Sequence, residues 1–521
     1  MRRRFGMWAS AALLSAVPCA AQLPNPLDMT TDPADRAVMA EVATAVSSRT
    51  PDIAQLNAIL LKLPRPTPLR GMVQTVRAGV LQAAQDIPGA VSAIQEALRL
   101  LPDDPRPKLV ASAIFTFSGS PQRAADLWVE ASREAPDIAR TGDRYFMSAL
   151  VGRLTDLGDN TRADRLRARM GEIGFSTELA DERSGTQLAR TREAVRAGRI
   201  DEAFSDVTAI GNPGDLLTLY VDRRYTSLWP RIGEWAGQDL SAQTARYLEE
   251  LRSDWTAADD FKTATPYARR LAELGAHSAV IGLFLPMFER LPAAPGQEAE
   301  FLAPVVARSL LLTGRDAEAQ ALLGKLATAM VNDKGGNALN VDGAYLIQAT
   351  LRADWLDVIG RADTFLVKAR AFGSGINQSA VTQVEAWRAC ALWKLNRTAE
   401  AQQSTAQVLL SSALAPAPIM NLQLCRGDMA AARMHVIARL ADETTRDWAL
   451  AFVQPVRDVP LSPLDRIMKP AAQIIRNSPD VIAAANKVGR VLPKPVADSV
   501  PPSFDPFRVK HAAPTLAPGS T

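Results

Sequence analysis

The chain has 521 residues, 47% of them hydrophobic and 22% charged, with three cysteines, three histidines and a formal net charge of +3. These proportions are ordinary for a soluble globular protein, and an aromatic content of only 6% with abundant Ala and Leu favours helix over strand. The small positive charge sits almost entirely at the N-terminus, so it does not point to nucleic acid or to an anionic membrane surface as partner.

That N-terminus reads MRRRFGMWASAALLSAVPCAAQ. Arg2, Arg3 and Arg4 form a positive head, Phe5 to Val17 a short apolar run, and Cys19 and Ala21 are the small residues before a cut at Gln22. This pattern predicts a secretory signal peptide over residues 1–21. The apolar run is too short for an anchor that spans a bilayer, and Pro18 stands where a lipoprotein signal would carry a small residue before Cys19. Cleavage removes the three arginines and no acid, which brings the formal charge to zero. No later apolar run is long enough to cross a membrane, and the expected location is a bacterial periplasm.

Residues 22–70 read as a proline-broken lead-in with two helical patterns between Ala37 and Leu63, and Pro51 is expected at the first position of the second. From residue 71 a period of 34 residues sets in. Leu81, Ala90, Ile94, Ala97 and Pro102 are repeated at that spacing by Phe115, Ala124, Trp128, Ala131 and Pro136. After an insertion of a few residues, Leu150, Leu154, Gly158, Ala163 and Phe175 give a third copy with the same internal offsets. The clearest copy, Pro102 to Pro136, carries bulky residues on a first helix, Gly119 where the chain reverses, and Ala124, Trp128 and Ala131 on one face of a second helix. A single hairpin of this kind cannot bury its own apolar face, so the pattern implies a stacked array.

These residues resemble those of a tetratricopeptide repeat. The resemblance covers residues 71–210 and 300–445. Between them, 211–299 departs from the pattern and is locally dense in aromatics for so aromatic-poor a chain. Further on, Val306, Leu310, Gly314, Ala319 and Leu323 fit the template. So do Ala389, Leu392, Ala401 and Val408, with Asn396 in the turn where Gly is usual, and more weakly Gly427, Ala432 and Val436. Residues 446–491 read as capping helices and 492–521 as a disordered proline-rich tail. The expected fold is all-α: a solenoid of stacked helix–turn–helix repeats with an irregular helical middle. The resemblance implies that a protein or peptide partner lies on the concave face lined by first helices. In that register Arg106, Leu109, Ala113 and Thr116, then Tyr145, Ser148, Gly152 and Thr155, line the groove, unless some of them simply pack on neighbouring helices.

Chemistry is sparse. No HExxH, GxSxG, Walker loop or CxxC is present, and His277, His435 and His511 lack ligand-spaced companions. Asp259 and Asp260 are adjacent on a helical pattern, which points them apart rather than toward one substrate. The repeats loosely resemble the superhelix of periplasmic lytic transglycosylases, but the ES-type and GLMQ-like segments of their catalytic domain are missing. The chain is therefore read as a non-enzymatic scaffold or adaptor of the cell envelope, without cofactor or metal. The alternative reading is a carbohydrate-binding or cell-wall-associated superhelix that uses Trp229, Trp235 and Trp255 as an aromatic patch. Cys390 and Cys425 lie 35 residues apart, about one repeat. A disulfide between them and a pair of buried free thiols both stay open, because packed helix axes stand ~8–10 Å apart against ~4.4–6.8 Å for bridged Cα atoms.

Overall fold

The computed structural model describes residues 30, 32–48, 51–84, 86–175, 179–290, 298–331, 338–372, 376–410, 416–457 and 462–508. Among them there is helix and no strand, the sole β feature being an isolated antiparallel bridge between Asp222 and Gly489. The fold is an all-α array of helices packed in neighbouring pairs. None of the described helices is long and apolar enough to cross a membrane. Residues 1–21, where a signal peptide is expected, His511 and the end of the tail lie outside the described residues.

The chain divides into two compact units, Met1–Thr177 and Glu178–Thr521. The division falls inside the repeat segment expected over 71–210. In the first unit the helix starts follow from local chemistry. Asp52, Thr67, Asp86 and Asp104 accept from the free backbone N–H groups of the helices beginning at Ile53, Pro68, Ile87 and Pro105. Pro51 thus precedes the cap Asp52 rather than opening the helix. Helix Pro105–Phe117 ends at Gly119, whose φ of +89° a residue with a side chain would resist. The next helix, Pro121–Glu134, turns Ala124, Trp128 and Ala131 inward, and Trp128 meets Phe175 edge to face at 6.0 Å. Hairpins Pro68–Ala83 with Ile87–Leu100, Pro105–Phe117 with Pro121–Glu134, and Arg144–Asp156 with Asn160–Glu172 stack in order. Their first helices touch one another in succession, and the second helices of the last two pairs touch each other. This is the arrangement that the 34-residue spacing requires.

The second unit begins with Ala180–Arg196 and Ile200–Val207 and passes through the expected irregular middle. There Asn212 caps helix Pro213–Val221, a 3-10 turn spans Arg223–Leu228, and Leu240 and Asp259 take left-handed conformations at helix ends. Asp259 ends one helix in a left-handed conformation, and the Asp260 carboxylate caps the next by accepting from Thr263 N at 2.8 Å. Regular pairs return from Ala299–Leu312 with Asp316–Ala329 to Pro416–Arg426 with Met429–Ala441. Asn396 reverses the chain at φ +59°, as its place in the repeat foretells.

Cys390 and Cys425 are joined in a disulfide with Cα atoms 5.9 Å apart, both side chains fully buried. The separation of helix axes was the wrong yardstick for this pair. Each Cα stands about 2.3 Å off its axis, so residues that face one another come several ångströms closer than the axes do.

The two ends of the second unit meet. Helices and turns from 188 to 240 share one apolar core with helices from 386 to 485. Gly489 lies so near residue 221 that a Cβ would run into the Val221 carbonyl oxygen and the Leu450 side chain. Beyond it the chain is non-helical but not loose. Ala497 N donates to Asp239 O at 3.1 Å, Arg270 donates to Ala497 O, Arg252 to Asp505 O at 2.8 Å and the Tyr267 hydroxyl to Pro506 O. Phe504 is buried among the middle helices under the Arg252 guanidinium. The disordered tail expected from residue 492 is therefore corrected over 492–508: its prolines prevent helix, yet side chains from the middle helices satisfy the carbonyls of Ala497, Asp505 and Pro506.

Candidate functional site

The first-helix face of the first unit is only partly the groove expected from the repeat register. Leu109 and Thr116 are 5% and 0% exposed and belong to the interior; the Thr116 hydroxyl is spent on Ser112 O. Helix Pro105–Phe117 is covered by first helices on both sides, which takes those positions out of solvent. Arg106 is held at its own helix start by Asp104. One repeat on, Met147, Leu150 and Leu154 turn inward and Ser148, Gly152 and Thr155 are exposed. Tyr145 lies in the same helix, but its side chain is outside the described residues. Sequence reasoning missed Lys108, a cation with 5% exposure. Burial works against its charge, yet hydrogen bonds to Glu130 at 2.8 Å and Glu134 at 2.9 Å prevail and hold its pKa above the ordinary lysine value. It ties the first helix of that repeat to the second and presents no free charge.

Trp229, Trp235 and Trp255 do not form a patch. Trp255 is 8% exposed and packs against Tyr267 and Phe284. Trp229 and Trp235 belong to a different apolar cluster and are half-buried. Trp229 donates its indole N–H to Leu219 O at 3.0 Å and stacks with Arg490, and Trp235 carries the Arg246 guanidinium 4.3 Å from its ring centre. They fill the wide gaps between irregular helices, and the carbohydrate reading keeps no support from them.

The histidines are interior groups. His277 faces the Ser309 hydroxyl at 3.2 Å, and His435 Nε2 lies 2.9 Å from Pro416 O. For His277, burial and then the charge of Arg308 push the pKa below the ordinary imidazole value. For His435, burial prevails over the Pro416 contact in the same direction. An imidazole with a depressed pKa stays neutral in the fold while the unfolded chain still takes up a proton. Its support is therefore complete above about pH 6.5 and is lost as pH falls through that value toward the lower folded pKa. The melting temperature should fall between pH 7.5 and 5.5, and the double variant His277→Asn/His435→Asn should fall less over that interval. An equal fall in both proteins would show that these rings are not the acid-sensitive groups. Among the described residues no group of three or more His, Cys, Asp or Glu side chains is placed to hold a metal ion.

One concavity in the second unit brings together residues that the sequence keeps far apart. A cleft of about 600 Å³ is lined by Arg223, Thr226, Trp229, Asn486, Gly489 and Arg490. It forms where the ends of the unit meet, and no local pattern in the sequence announces it. No protein-family model matches the chain, and no curated protein matches it significantly.

Proposed function

We propose that this chain is an exported, non-enzymatic scaffold of tetratricopeptide-like repeats that holds a protein or peptide against its first helices in the periplasm, in cell-envelope assembly or export. The observation that carries the reading is the row of first helices Pro68–Ala83, Pro105–Phe117 and Arg144–Asp156, each beside the next. Its last member exposes Ser148, Gly152 and Thr155 while its apolar side is fully buried. A strip of small and hydroxyl-bearing residues lets an extended backbone approach closely and suits a peptide rather than a polyanion. Export rests on the sequence of residues 1–21, and a bridged cysteine pair accords with an oxidising compartment.

A photo-reactive amino acid placed at residue 148 or 155 should yield the same cross-linked adduct in the envelope fraction, and one placed at the exposed Thr161 on the second helix should not. No adduct at 148 and 155, or equal labelling at 161, removes this face from the reading.

A further inference from the structure

We propose that the cleft between residues 223–229 and 486–490 is a binding site for an oxyanion, the carboxylate or phosphate group of a small molecule. Two guanidinium groups meet there. Arg223 Nη2 donates to Asn486 O at 2.7 Å, and Arg490 Nε donates to Tyr220 O at 2.8 Å. Arg490 lies between the rings of Tyr220 and Trp229, 4.0 Å from each centre, and its backbone N–H donates to Val221 O at 2.9 Å. These contacts fix where the cations stand without neutralising them. Neither arginine has a carboxylate partner among the described residues, and Arg490 Nη2 is buried with no acceptor.

The neighbouring arginines differ. Arg224 pairs with Asp222 at 2.6 Å and with Asp447 at 3.2 Å, and Arg192 also takes Asp447 at 2.5 Å. The acids close by are thus already engaged, and the two uncompensated charges are the ones that line the cleft. A guanidinium presents N–H groups in a planar fork that matches the oxygens of a carboxylate or phosphate. The Thr226 hydroxyl and the Asn486 amide add neutral polar groups on the rim. Arg223 and Arg490 come from the two ends of the unit, so an anion bound to both would clamp the seam and raise its stability by mass action. The peptide strip of the first unit plays no part in this site, and either proposal can fail alone.

Calorimetric titration of the full mature chain with sodium phosphate, sodium glucuronate and glucose, at one ionic strength set with sodium chloride, tests the site. At least one of the two anions should bind saturably with one site per chain, with glucose silent, and the anion that binds tells a phosphate-bearing source from a carboxylate-bearing one. Arg490→Gln and Arg223→Gln should each weaken that binding roughly ten-fold or more, the loss of a charge-assisted hydrogen bond. Because Arg490 also packs between two rings, the exposed Arg223 carries the test if Arg490→Gln unfolds the unit. Absence of saturable binding by either anion, or unchanged affinity in Arg223→Gln, overturns the proposal.

Discussion

Trp128→Ala should lower the stability of the first unit by about 3–5 kcal/mol, the range for removing a fully buried aromatic side chain, and its melting temperature by roughly 10 °C. Trp128 is 2% exposed, closes on Phe175 edge to face and shares one apolar cluster with Ile94, Ile114, Phe115 and Leu150. The members of that cluster come from three successive hairpins, so the indole lies in an interior that the repeats share. The same cluster includes Ala90, Ala93, Ala97, Ala124, Ala125 and Ala131. Side chains that small on packed helices cannot swing inward to fill the void, which puts the loss toward the upper end. Leu157→Ala, at a half-exposed site on the same unit, should change the melting point by less than a degree or two. Scanning calorimetry compares the two variants directly. A loss for Trp128→Ala no larger than that for Leu157→Ala would mean that the repeats do not share this interior.

The second large effect is expected from the disulfide. Cys390→Ala/Cys425→Ala should cost about 3–4 kcal/mol, the chain-entropy value for opening a loop of this length, here 35 residues. The bridge ties helix Gln378–Lys394 to Pro416–Arg426, two first helices of adjacent repeats, within the core that also holds the two ends of the second unit together. Its loss should therefore loosen the seam at Gly489 along with the repeats themselves. Both sulfurs are fully buried, so a reductant should act slowly on the folded chain and quickly once it is unfolded. Denaturant midpoints of the oxidised protein and the double variant measure the difference, and alkylation of the unreduced protein from its native compartment should find no free thiol at either position. Two alkylatable thiols, or equal midpoints, would exclude a structural bridge.

What could be read along the chain was what depends on near neighbours. The recurrence of Leu81, Phe115 and Leu154 with Ala90, Ala124 and Ala163 sets which faces are apolar and how far apart the hairpins begin, because each repeat packs mainly on the next. Gly119 and Asn396 mark the reversals, because positive φ is a local matter. The same locality led to the errors. A register carried over from the best-matching repeat placed Leu109 and Thr116 in a groove, although first helices on both sides bury them. A run of prolines suggested a loose tail, and composition has no means of weighing Arg252, Tyr267 and Arg270 waiting some 230 to 250 residues away.

By itself the sequence determined an all-α array of paired helices, its period, its turns and the irregular middle, since all of these rest on contacts within one or two repeats. Tertiary structure alone decided that the second unit closes end to end, that Cys390 and Cys425 come within bridging distance, that Trp255 is interior, and that Arg223 and Arg490 share a cleft. The seam and its cleft join segments as far apart as Arg223 and Asn486, 263 residues along the chain, while the bridge and the place of Trp255 depend on which faces of neighbouring helices meet. Neither kind of contact is written in any single stretch of residues.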